Sequence, residues 1–139
     1  MELLPQLKEE HIEILRPFDV VEADIRNSSK SSEDIIDDLR DLKDTLTSHV
    51  DLENKLLYPA IESSNDKKTK EAGKKFSGEM IKIGEVAFAF FKKYDETEIS
   101  EIRTDQKFKT EFKDIHKILS RRVDVEENKL FPLYSLCCE

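Results

Sequence analysis

The residues of this chain whose types and spacing suit chemistry are a few histidines and acids that fall where apolar residues are expected. His49 and Glu53 stand four apart, so on a helix their side chains lie one above the other and reach a common point between helices. His11 sits on an apolar stripe near the start of the chain. Glu126 follows Arg122 by four residues in RVDVEENKLFP (122–132), which keeps Val, Asp, Glu, Leu and Pro in register with HVDLENKLLYP (49–59). Taken alone, a His and a Glu four apart read as a surface pair or a satisfied core histidine. Their register with His11 and Glu126 changes that reading, because buried polar groups are tolerated only when they converge on partners or on an ion. Two imidazoles and a carboxylate with open positions suit a mononuclear divalent ion such as ferrous iron, zinc or manganese.

The elements that must position these groups follow from periodicity. Leu4, Leu7, His11, Ile14, Phe18, Val21 and Ile25 recur at steps of three and four, with Pro17 expected to kink that helix. A second stripe reads Ile35, Leu39, Leu42, Leu46, His49, Glu53, Leu56, Ala60, opened by a Ser31 or Ser32 cap with acids behind it. The third reads Phe76, Met80, Ile83, Ala87, Phe90, Tyr94. The fourth reads Phe108, Phe112, Ile115, Leu119, Arg122, Glu126, Leu130, Leu133. Polar stretches at 28–32, 63–68 and 95–100 separate the four. The second stripe maps onto the fourth at an offset of 73 residues and the first onto the third at 69. These patterns predict an all-α, antiparallel up-down-up-down four-helix bundle built from two pseudo-symmetric helical hairpins, one domain over 1–139.

Bulk properties exclude several classes. A net charge of −8 disfavours nucleic acid and anionic membrane surfaces as partners. No apolar run approaches a membrane span, and MELLPQLKEE lacks the features of a signal peptide, so a cytoplasmic protein is expected. The adjacent Cys137 and Cys138 are expected to be reduced thiols.

The ordered combination of EEHIEIL (9–15), HVDLENKLLYP and EENKLFPLY (126–134) resembles the hemerythrin-like (HHE) domains over nearly the whole chain. The resemblance implies one His on helix one, a His-x-x-x-Glu on helix two, a further His on helix three, and a second His-x-x-x-Glu before Leu-Phe-Pro on helix four. It also implies a non-haem di-iron site of five histidines and two bridging carboxylates that handles dioxygen, nitric oxide or peroxide. This chain departs from the pattern: Met80, with Glu79 beside it, replaces the helix-three histidine, and Arg122 replaces the helix-four histidine. The implied metal ligands are therefore His11, His49, Glu53 and Glu126, with Glu79 adding an oxygen if its helix is slightly rotated. Met80 reads as core filler.

Two functions follow. One is a metal-binding protein with a mono- or di-nuclear iron site, alternatively holding zinc or manganese, that handles or senses oxygen, nitric oxide or iron. The other is a metal-free bundle in which Arg122 holds Glu53 and Glu126 by forked hydrogen bonds and which acts as a binding or regulatory module. No nucleophile, glycine-rich loop or paired acid and base points to an enzyme. His116 lies beside the fourth stripe and reads as a boundary residue. Tyr58, Tyr94 and Tyr134 read as bundle-end residues with their hydroxyls at water.

Overall fold

A computed structural model describes residues 2–27, 30–96 and 102–139. Helix α1 spans Leu3–Asn27, α2 Ser32–Leu52, α3 Tyr58–Glu62, α4 Lys67–Glu96, α5 Gln106–Val125 and α6 Phe131–Cys138. Two five-residue π-turns, Glu53–Leu57 and Glu126–Leu130, join α2 to α3 and α5 to α6, so six helices make four rods. Rod pairs α1 with α2, α2 with α4, α4 with α5 and α1 with α5 are in contact, which closes an antiparallel four-helix bundle. Among the described residues there is no strand. Most of the 95–100 stretch, and Ser28 and Ser29, lie outside the described residues.

Local chemistry accounts for the helix starts. The Ser31 hydroxyl accepts from the Asp34 N–H at 3.1 Å, with Glu33 and Asp34 in the first turn where the helix dipole favours acids. Asp105 does the same for α5, accepting from the Phe108 N–H at 2.8 Å. Helix α1 runs unbroken through Pro17. In α4 Gly73 allows close approach to α3: a Cβ there would lie 2.8 Å from Ile61 Cγ2, a branched side chain with little freedom to yield.

Each π-turn is followed within two residues by a proline. Pro59 and Pro132 carry no N–H, and in an unbroken α-helix each ring would press on the carbonyl four residues back. A π-turn just before each proline, closed by Tyr58 N–H to Glu53 O and Phe131 N–H to Glu126 O, shifts the register and lets both rods continue. Neither proline ends its rod. They also break the expected second stripe: Leu56 is exposed, while Leu57, Tyr58 and Ile61 are buried in place of Leu56 and Ala60.

Two apolar clusters result. The larger holds Ile14, Phe18, Leu42, Leu46, Phe90, Phe112 and Leu119 among others, and the smaller holds Leu3, Leu7, Leu57, Ile61, Met80, Leu130 and Phe131 among others. Each fully buried large side chain stabilises the fold by about 1.5–3 kcal/mol before chain entropy is counted. Between the clusters lies a polar layer of His11, His49, Glu53, Arg122 and Glu126, all buried. Contrary to the thiols expected from sequence, Cys137 and Cys138 are joined in a vicinal disulfide in the last helical turn, with Cys137 exposed. No helix among the described residues is long and apolar enough to cross a membrane.

Candidate metal centre

Each group of the polar layer arrives on a different part of the bundle. His11 comes from α1, His49 from the last turn of α2, and Glu53 and Glu126 are the first residues of the two π-turns. The same 73-residue offset that relates the sequences relates the two π-turns, so each hairpin delivers its carboxylate at an equivalent place. One ligand atom from each of His11, His49, Glu53 and Glu126 lies within 4.8 Å of the others, and all four residues are buried.

The bonds within this group are uneven. His11 Nε2 lies 2.7 Å from Glu126 Oε1. His49 Nε2 lies 3.3 Å from Glu53 Oε2 and 3.5 Å from Glu126 Oε1, without the alignment of a hydrogen bond. Both Glu53 oxygens and His49 Nε2 are buried with no hydrogen-bond partner. Unpartnered buried polar atoms that face one another cost about 1–3 kcal/mol each unless something fills the space between them. A cation is what two imidazoles and two carboxylates would take there, so the donor set fits one.

Electrostatics carry the same strain. Burial, reinforced by the nearby Glu126 charge, pushes the Glu53 carboxyl up to about 8. Burial alone would depress His49, but the Glu126 and Glu53 oxygens beside it outweigh that and raise it to about 10. Glu126 is likewise pushed up by burial, yet His11 and His49 hold it well below the usual carboxylate range. Without an ion, the centre thus keeps protons that a metal would displace.

Arg122 occupies the pseudo-symmetric place of His49. Its Nε donates to Glu126 Oε2 at 3.0 Å, and its Nη2 donates to the Tyr58 hydroxyl at 2.9 Å and to the Phe76 carbonyl at 3.0 Å. The fork expected across Glu53 and Glu126 does not form: the second arm goes to Tyr58 and the backbone, and Glu53 receives nothing from it. Tyr58 is buried rather than at water, and burial raises its phenol. Tyr94 is buried as well.

Glu79 is exposed and takes no part in the group. Its neighbour Met80 points inward, and adjacent helical side chains diverge by about 100°, so no slight rotation of α4 brings both to the centre. Met80, with Ile14, Leu46 and Leu119, walls a cavity of about 20 Å³ beside His11, His49, Glu126 and Arg122.

Two residues that sequence reasoning passed over complete the geometry. Glu10 Oε1 lies 2.7 Å from His49 Nδ1, and Glu127 Oε2 lies 2.7 Å from His11 Nδ1. Both were hidden among many surface acids; only their adjacency to His11 and Glu126 marks them. His116 belongs to a separate grouping with Asp19 and Glu22 at the bundle surface, its ring stacked 4.8 Å from Phe18.

A bundle whose facing helices project histidines and carboxylates onto one interior point has the architecture of helical metal-binding proteins. The chain matches the family model of the hemerythrin HHE cation binding domain over residues 2–134, and it belongs to that family. No curated protein and no solved structure matches it.

Proposed function

We propose that this chain binds one metal ion, iron in the first instance and zinc or manganese as alternatives, through His11, His49, Glu53 and Glu126. The observation that carries this reading is the unpartnered state of both Glu53 oxygens and His49 Nε2 in a fully buried layer. When bound, the ion would supply Lewis acidity or one-electron chemistry; the residues supply its orientation and exclude water.

Arg122 supports a single ion over a pair. Its guanidinium already satisfies Glu126 Oε2, leaving Oε1 to face the histidines, and a fixed cation repels a second one. The cavity of about 20 Å³ beside the histidines is large enough for one water-sized or diatomic ligand, and its Met80, Ile14, Leu46 and Leu119 wall favours a neutral one. Handling or sensing of dioxygen or nitric oxide at one ion follows as the physiological reading, with reversible two-iron oxygen carriage disfavoured.

The metal-free alternative loses ground because Arg122 does not reach Glu53, whose oxygens keep only the unaligned contact with His49 and no hydrogen bond. The test is elemental analysis of protein loaded anaerobically with ferrous iron. One ion per chain, lost in His49→Ala, is expected; a metal-free wild type whose melting temperature ignores iron and zinc would reject the proposal.

A further inference from the structure

The outward nitrogen of each histidine meets a carboxylate that the apolar clusters do not require. Glu10 of α1 reaches across to His49 of α2, and Glu127 of the second π-turn reaches across to His11 of α1, each at 2.7 Å. Neither contact arises by chance of one helix face, since each links two rods. Glu10 is adjacent to His11, so one turn of α1 both presents an imidazole and braces the other. Glu127 is adjacent to Glu126, so one imidazole is gripped at both nitrogens by consecutive residues of the π-turn. Gln6 Nε2 in turn donates to the free Glu10 oxygen at 3.2 Å.

We propose that Glu10 and Glu127 are positioning residues that aim Nε2 of His49 and His11 inward and make the centre prefer a trivalent over a divalent ion. The inference rests on the metal-binding reading above and deepens it.

Two physical effects combine. A carboxylate at Nδ1 holds the proton there, which leaves the Nε2 lone pair facing the centre and raises its donor strength. The same carboxylates also change the charge balance. With both imidazoles neutral, the four carboxylates of Glu10, Glu53, Glu126 and Glu127 against the single guanidinium of Arg122 leave −3. A divalent ion brings that to −1 and a trivalent ion to zero. Glu10, whose side chain is 18% exposed, is less screened than Glu127 at 38% and should weigh more.

The experiment compares wild type with Glu10→Gln, Glu127→Gln, Glu10→Asp and Glu9→Gln, the last removing the same charge from an exposed neighbour. Zinc affinity is measured by competition titration, and the midpoint potential by redox titration of iron-loaded protein. Both glutamine variants are expected to lose about 10–100-fold in zinc affinity. A tenfold fall in ferric over ferrous preference raises the midpoint potential by about 59 mV for one electron. Glu10→Asp, which keeps the charge but shortens the reach, should lose zinc affinity with a smaller rise in potential, and Glu9→Gln should match wild type. Glutamine variants that match Glu9→Gln in both readouts overturn the inference while metal binding stands. A wild type that takes up neither ion removes both. Should Glu10→Gln unfold before loading, Glu127→Gln, on the more exposed residue, decides the matter alone.

Discussion

Arg122 Nε and Glu126 Oε2 meet at 3.0 Å one helical turn apart, so the same carboxylate that faces the histidines with one oxygen is anchored by a permanent cation through the other. The guanidinium also ties Tyr58 and the Phe76 carbonyl, linking three of the four rods at the level of the centre.

Arg122→Met should therefore be costly. Removing one member of a buried ion pair strips Glu126 Oε2, the Tyr58 hydroxyl and the Phe76 carbonyl of their donor and leaves only His11 and His49 to hold Glu126, and about 3–5 kcal/mol of unfolding free energy is expected to be lost in metal-free protein. Urea denaturation measures it, and a change below about 1 kcal/mol would show that the pair is not held in solution.

Glu53→Leu should do the opposite without metal. Replacing a buried carboxylate that has no hydrogen bond by an apolar group of similar size should raise stability by about 1–3 kcal/mol. The gain has a counterpart: zinc at a hundredfold excess over its dissociation constant should stabilise wild type by about 2.7 kcal/mol and the variant by nothing. Equal zinc responses would show that Glu53 is not a ligand.

Metal-free stability should fall as the solution becomes alkaline. Folded His49 and Glu53 hold their protons up to about 10 and about 8, against ordinary values of 6.5 and 4.5. Stability from a raised group is complete below its unfolded value and disappears as pH climbs through its folded one. Glu126, depressed instead, loses its contribution only on acidification. Denaturation midpoints of the apo protein should thus decline from about pH 4.5, where unfolded Glu53 would ionise, to about pH 10, where folded His49 loses its proton, while the increment given by zinc grows, because the ion needs the deprotonated groups. A flat apo profile over that window would contradict the buried, proton-holding layer.

The π-turn can be tested by a pair of alanines. Leu57→Ala, at a site with no exposure, should cost about 2–5 kcal/mol. Leu56→Ala, at 37% exposure, should cost less than about 1 kcal/mol. A regular α-helix through Pro59 would reverse that order.

The bundle and most of its centre were legible because periodicity survives in the sequence: His11, His49, Glu53, Arg122 and Glu126 sit on the stripes they were read from, and all are buried. What periodicity could not show is a change of period. A constant 3.6-residue spacing places Leu56 and Ala60 in the core, whereas the extra residue of the π-turn hands their places to Leu57, Tyr58 and Ile61. The same change of period turns Tyr58 from the bundle end into the interior. Glu79 failed on a simpler count, since Met80 already takes the inward direction at that turn of α4. Glu10 and Glu127 carried no signal of their own, because an acid that braces a histidine across helices has the same spacing as one that only meets solvent.

The polar layer between the two apolar clusters divides the molecule into zones of unequal resistance to local opening. The smaller zone, with the short α3 and α6, has little of its own to hold it closed, and its amides should exchange with deuterium well before those of α5 when no ion is bound. An ion held by His11, His49, Glu53 and Glu126 would weld the zones into one cooperative unit, so that loading is felt most strongly in the smaller zone.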